Sequence, residues 1–254
     1  MCLVLLAWQV HPEFPLVVAA NRDEFHARPS AAAEFWNDHP QVLAGRDLSA
    51  GGTWMGITRS ERFAALTNYR DPAQMRSAAP SRGALVSDFL TGTQSPWQYA
   101  KQVANGSAAY NGFNLLVGDG HELAWYSNMD DEIRLLEPGI YGLSNELLDT
   151  PWPKVREAKS ALGDSLAALP DDTPLFRLLR DDRRHPDEQL PRTGVSLDLE
   201  RMLSAAFIRS PNYGTRSSTV LIRDRGGHTV FDEQTWQPDG LPGERRRFSF
   251  NSAA

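Results

Sequence analysis

The chain has 254 residues, 41% of them hydrophobic and 23% charged, and a formal net charge of −6 at pH 7. That length buries a large core without staples, and that charge disfavours non-specific nucleic-acid binding, so no nucleic-acid partner is expected. One cysteine excludes an intrachain disulfide framework and fits a reducing compartment.

Residues 2–10 and 16–20 are two buried apolar strands across the turn His11-Pro12-Glu13-Phe14-Pro15, and they read as a hairpin that runs into Asn21-Arg22-Asp23-Glu24. Residues 29–40 read as a loop. Residues 51–57 and 63–69 make a second hairpin, and 81–105 are helical, with Leu85 and Phe89 at i, i+4 and Gly92 as a stop. Strands resume at 112–117 and 122–126 across Gly118-Asp119-Gly120, and again at 132–137 and 140–144 around Pro138-Gly139. A helical block covers 153–207, interrupted by the charged loop 181–188; Val155, Ala158 and Leu162 begin one apolar stripe, and Leu199, Met202 and Leu203 another. Residues 216–223 and 228–233 form a last hairpin, and 248–251 an edge strand behind the solvated run Arg245-Arg246-Arg247. The count is about eleven strands in hairpins with two helical blocks. It predicts an α+β domain over residues 1–254, two stacked antiparallel sheets covered by helices. The start lacks a basic leader, and no segment approaches the roughly 18 apolar residues that span a bilayer, so a soluble, cytoplasmic protein is expected.

Chemistry centres on Cys2. Removing Met1 would leave a thiol and an α-amine on one carbon, and an amine of pKa about 8 can take the proton of a thiol near 8.5. Read blandly, Cys2 is a small hydrophobe opening an apolar strand. Asn21 and Asp23 share one strand face, Arg22 and Glu24 the other. Asp23 is placed to orient the amine of Cys2, and Arg22 to lower the thiol pKa or hold an anionic substrate; a turn stapled by an Arg-carboxylate pair is the alternative. Asn68 and Asn145 each end a strand, where an amide can donate to an oxyanion or simply form a turn. Tyr69 follows Asn68, and Arg216 begins a strand among hydroxyls, as a carboxylate clamp or an edge residue. The six histidines are scattered without metal-ligand spacing, and no phosphate-cradling loop is present.

The tetrapeptide Asn21-Arg22-Asp23-Glu24 resembles the signature of the NRDE family, which includes the transport and Golgi organisation proteins of eukaryotes. Gly51-Gly52-Thr53-Trp54-Met55-Gly56, Leu66-Thr67-Asn68-Tyr69-Arg70, Ser81-Arg82-Gly83, Asn111-Gly112-Phe113-Asn114-Leu115, Leu143-Ser144-Asn145, Thr150-Pro151-Trp152-Pro153-Lys154-Val155 and Gly214-Thr215-Arg216-Ser217-Ser218-Thr219 resemble its segments in order. The family is similar in turn to cysteine N-terminal-nucleophile (Ntn) hydrolases such as penicillin V acylases and bile salt hydrolases. That resemblance implies a four-layer αββα sandwich, with Cys2, Asp23, Asn68 and Asn145 in catalytic roles and Arg216 as the late Arg; Arg22, Asn21 and Tyr69, beside them in sequence, are expected with Arg216 toward the substrate. It implies an amidase or acyl-transfer reaction on a small non-peptide bond that needs no cofactor. The hydrolases carry an Arg three residues before the Asp, where this chain has Ala20. The alternative implied is a non-enzymatic carrier of haem or of an acyl-lipid or acyl-CoA ligand on the same fold, with Cys2 or a His on the haem iron.

Overall fold

The computed structural model describes residues 2–252. Among them, thirteen strands form two sheets in which every pairing is antiparallel. The first sheet runs, edge to edge, β10 (Gly139–Leu143), β1 (Cys2–Trp8), β2 (Leu16–Phe25), β11 (Tyr213–Arg223), β12 (His228–Trp236) and β13 (Pro242–Asn251). The second runs β3 (Ser30–Phe35), β4 (Val42–Asp47), β5 (Met55–Thr58), β6 (Phe63–Asn68), β7 (Phe113–Gly118), β8 (Leu123–Ser127) and β9 (Glu132–Leu135).

Side-chain alternation builds the layers. Val4, Leu6, Trp8, Val18 and Ala20 face the second sheet and meet Leu43, Met55, Ile57, Phe63 and Trp125. Leu3, Leu5, Ala7, Val17 and Ala19 point the other way, onto Val155 and Leu162 of α3 (Pro153–Ser165) and Leu175 and Leu179 of α4 (Thr173–Leu179). On the far side, Leu66, Leu115 and Val117 pack under Val86 and Phe89 of α1 (Gly83–Thr91) and Tyr99 and Val103 of α2 (Pro96–Gly106). The result is a helix–sheet–sheet–helix stack, the layering that the hairpin pattern predicts. Burial on both faces explains the unbroken apolar run of β1, because neither face needs a polar side chain. The same parity decides where the polar residues go. Cys2 lies opposite Arg22 in the ladder and shares the inter-sheet side with Val4, whereas Asn21 and Asp23 fall on the helix side with Ala19.

The structure departs from the expected elements in several places. Residues 42–47, for which no element is expected, form β4, and the last strand begins at Pro242 and takes in Arg245-Arg246-Arg247. Residues 30–35, expected as a loop, form edge strand β3 against β4; Ala-rich sequence has little strand propensity, and the edge supplied by β4 decides. Strands β9 and β10 are not a hairpin: the chain leaves the second sheet at β9, crosses, and β10 pairs with β1. Each fills an open edge, which short-range sequence cannot reveal. The 153–207 block is three helices, α3, α4 and α5 (Leu197–Leu203), and Pro186 and Pro191 fall in the stretch between the last two.

Candidate active site

Where β1 begins and β2 ends, the two sheets part around a cavity of about 740 Å³. Cys2, the only thiol, lies in its wall and is 7% exposed. Its carbonyl oxygen accepts a hydrogen bond from Ser144 Oγ at 3.1 Å, which ties the strand start to the end of β10. Burial, and after it the negative charge of Asp23, push the Cys2 thiol up, and the Arg22 guanidinium opposes that push more weakly.

Asp23 is 1% exposed, and its Oδ1 accepts from Thr215 Oγ1 at 2.7 Å. Tyr213 donates from its hydroxyl to the Asp23 backbone oxygen at 3.2 Å. Burial pushes the Asp23 carboxyl up; Lys154, the Thr215 hydroxyl and Arg22 pull it back. Arg22 reaches the cavity wall, and its side chain makes no ion pair or hydrogen bond among the described residues.

A β-bulge between Thr215 and Ser217 interrupts the pairing of β11 with β2. It turns Arg216 off the ladder, and the guanidinium donates to the carbonyls of Phe25 at 2.9 Å, His26 at 3.2 Å and Arg28 at 3.1 Å. Arg216 borders the cavity, but its donors clamp the turn after β2. Asn68 ends β6 and borders the cavity too. Its carbonyl accepts from Asn145 Nδ2 at 2.7 Å, and its own amide makes no hydrogen bond among the described residues.

The structure therefore brings Cys2, Arg22, Asp23, Asn68 and Arg216 to one cavity, and does not bring three other sequence candidates there. Asn145 is fully enclosed and supports the Asn68 peptide from behind. Asn21, expected toward substrate, donates to the carbonyls of Leu179 and Ala206 at 2.8 Å each and accepts from Ser218 Oγ at 2.6 Å, so it pins β2 to the helix layer. The Tyr69 hydroxyl is held by Glu146, outside the cavity wall. Asn21 shares the face of Asp23 but lies two residues further into the strand, where the Leu179 and Ala206 carbonyls cover it.

Three other residues were not singled out by spacing. Arg82, in the turn before α1, donates to the Gly112 carbonyl at 2.9 Å and borders the cavity. Burial lowers its pKa, against the attraction of Cys2 and Glu24. That turn is fixed by close approach: a Cβ on Gly52 would lie 2.5 Å from the Gly83 carbonyl carbon. Glu233, buried and pushed up by that burial, accepts from the Ala33 N–H at 2.7 Å at the cavity floor. Lys154 is 4% exposed with its Nζ donating to the Leu203 carbonyl at 2.9 Å, and burial lowers it to about 8. The Gly-Gly pair, Ser81-Arg82-Gly83 and Pro153-Lys154 were visible as segments, but nothing in their spacing says which charge reaches Cys2.

Much of the wall's charge is spent internally. Arg28 pairs with Asp47 at 2.6 Å and Arg46 with Asp38 at 2.7 Å. Arg22 and Arg82 are the cations beside Cys2 that no carboxylate neutralises within ion-pair range among the described residues.

Residues 1–238 match the family model described as Transport and Golgi organisation 2. The chain belongs to that family. It is 37% identical to the Transport and Golgi organization protein 2 homolog of Bos taurus over 92% of this chain and 93% of that one. The Homo sapiens homolog is 36% identical over 98% and 99%, and the Drosophila melanogaster protein 28% over 92% of each. Among solved structures, a Caenorhabditis elegans N-acylethanolamine-hydrolyzing acid amidase ortholog superposes with TM-score 0.47 and 11% identity, covering 87% of this chain and 92% of its own. A mutant conjugated bile acid hydrolase from Clostridium perfringens gives TM-score 0.44 and 11% identity over 99% and 98%. Likenesses of that size say nothing of chemistry. No helix of the described residues is long and apolar enough to cross a membrane. No group of three or more His, Cys, Asp or Glu among the described residues is placed to hold a metal ion.

Proposed function

We propose that the protein is an acyl-transfer hydrolase in which Cys2 becomes an N-terminal nucleophile once Met1, which lies outside the described residues, is removed. The observation that carries this reading is the position of the only thiol: in the wall of a large polar cavity, with a buried carboxylate behind it and unneutralised guanidinium groups beside it. A thiol pushed up by burial does not ionise unaided near neutral pH, so attack needs a base. The α-amine of processed Cys2 is that base, held by Asp23. Sγ adds to the acyl carbon as the amine takes its proton, and the Asn68 amide donates to the oxyanion. The tetrahedral adduct collapses to a thioester, and the leaving amine or thiol departs with the proton held on the α-ammonium. Water then attacks the thioester, releases the carboxylic acid and restores the thiol. Arg22 and Arg82 bind an anionic part of the substrate. Arg216 holds the turn that frames the cavity, and Asn145 holds Asn68.

Turnover of N-acyl amides and thioesters with anionic leaving groups tests this reading in wild type, Cys2→Ser and a form in which Met1 is retained. Only wild type is expected to turn over, and equal rates in either of the others would overturn the nucleophile. Saturable binding of haem or of an acyl ligand without turnover, unchanged in Cys2→Ala, is the result of a carrier using the same cavity.

A further inference from the structure

Cys2 opens β1 in the first sheet and Asn68 closes β6 in the second, so the two groups that the reaction above sets against one acyl carbon stand on different sheets. Ladder hydrogen bonds fix positions within a sheet and leave the distance across the gap open. At the cavity the apolar packing between the sheets gives way to polar wall residues, so another device must hold the two apart at a set separation.

Three consecutive residues bridge that gap. Ser144, Asn145 and Glu146 follow β10, which pairs with β1, yet their hydrogen bonds also reach the end of β6 and the start of β7. The Ser144 hydroxyl, 3% exposed, carries one proton and has two acceptors in reach, the Cys2 carbonyl at 3.1 Å and Asn145 Oδ1 at 3.3 Å. The Asn145 amide donates in turn to the Asn68 carbonyl at 2.7 Å, and the Asn145 carbonyl accepts from the Arg70 N–H at 2.8 Å. The Glu146 carboxylate takes the Tyr69 hydroxyl, and the Glu146 carbonyl accepts from Asn114 Nδ2 at 2.9 Å. Asn114, itself enclosed in β7, reaches Thr67 Oγ1 from the same nitrogen at 3.2 Å. The tripeptide therefore holds the main chain of Cys2 through one residue and, directly or through Asn114, each of residues 67–70 through the other two.

We propose that Ser144-Asn145-Glu146 is the brace that sets the separation between Cys2 and Asn68, with Ser144 the positioning residue on the nucleophile and Asn114 the anchor in the second sheet. This rests on the nucleophile reading above. An oxyanion donor acts only within about 2.7–3.1 Å of the oxygen that becomes charged, so a slip of one sheet against the other by about 1 Å removes most of its effect. Neither Ser144 nor Asn114 lines the cavity, so each acts through the residues it holds.

Two reactions of Cys2 in processed protein separate the brace from general packing. Acylation by a small activated ester joins Sγ to the carbonyl carbon and passes through an oxyanion before the alcohol leaves with the thiol proton. Alkylation by iodoacetamide displaces iodide in one step and forms no oxyanion. Ser144→Ala and Asn114→Leu are each expected to lower the acylation rate about tenfold or more relative to alkylation. With Asn68→Ala already in place, Ser144→Ala is expected to change that ratio less than about twofold, because both act through one donor. Urea unfolding identifies the folded variants, and either one alone decides. An unchanged ratio, whether both rates fall together or neither falls, overturns the proposal. Hydrogen exchange reads the brace without the chemistry: Ser144→Ala is expected to speed exchange at the Arg70 amide on the opposite sheet as well as at the start of β1, and a change confined to β1 overturns it. Coupled exchange in a protein whose processed Cys2 takes up no acyl group retains the brace and sinks the nucleophile. Acylation of wild type with an unmoved ratio in the variants does the reverse.

Discussion

Gly52→Ala tests how the cavity wall is held. An added methyl would meet the Gly83 carbonyl carbon at 2.5 Å, its oxygen at 2.6 Å and the Ala84 nitrogen at 2.8 Å, all backbone atoms of the turn that carries Arg82. No side chain can swing aside, so the loop after β4 must lift from the start of α1, straining the Thr53 N–H bond to the Gly83 carbonyl at 3.3 Å. Overpacking of this kind costs about 1–3 kcal/mol, and loss of one hydrogen bond adds about 1. Reduced freedom of the unfolded chain returns about 0.4–1 kcal/mol, leaving a net loss of about 2. At this chain length that lowers Tm by roughly 4–8 °C. The control is its neighbour Gly51, which has nothing within 4 Å of an added Cβ but a φ of +80°, so Gly51→Ala costs about 1 kcal/mol from backbone conformation alone. Urea and thermal unfolding of both variants give the comparison. If Gly52→Ala loses less than Gly51→Ala, or lies within about 0.5 kcal/mol of wild type, the account of the wall is wrong.

Glu200→Gln leaves Arg70 buried without its carboxylate and is expected to cost about 3–5 kcal/mol in urea unfolding. Asn21→Ala strands the Leu179 and Ala206 carbonyls and the Ser218 hydroxyl, for a loss of about 3 kcal/mol, as expected of a residue that pins layers rather than binds substrate. Lys154 gives a pH signature. Its pKa is about 8 in the fold against 10.5 for the free side chain, so the fold favours the neutral amine. Its contribution to stability is present above 10.5 and is lost as pH falls toward 8. Wild type is therefore expected to gain up to about 3 kcal/mol between those limits relative to Lys154→Met, and parallel curves would contradict the burial of this charge.

The sandwich was legible because β1 and β2 announce themselves as apolar runs, and because hairpins followed by helical blocks leave few ways to cover a sheet. Edge pairing was less so. β3 exists because β4 offers it a partner, and β10 joins β1 across the sheets. At the site, position singled out Cys2, and the tetrapeptide placed Arg22 and Asp23 beside it. What escaped was the difference between an amide aimed at a cavity and one aimed at the chain. Asn68, Asn145 and Asn21 look alike in sequence, yet one borders the cavity, one supports that residue from behind, and one ties β2 to α4. Lys154 escaped because a lysine in the first turn of an amphipathic helix ordinarily reaches water. Arg82 escaped because its place depends on two glycine backbones meeting across a loop.

The central claim is that Cys2 becomes a terminal nucleophile. Intact-mass spectrometry of the purified protein, before and after exposure to a small activated acyl ester, tests it most directly. A mass short of one methionine residue and a single acyl adduct on Cys2, missing in Cys2→Ala, are expected. Retention of Met1 throughout the population, or a processed Cys2 that takes up no acyl group, would contradict it.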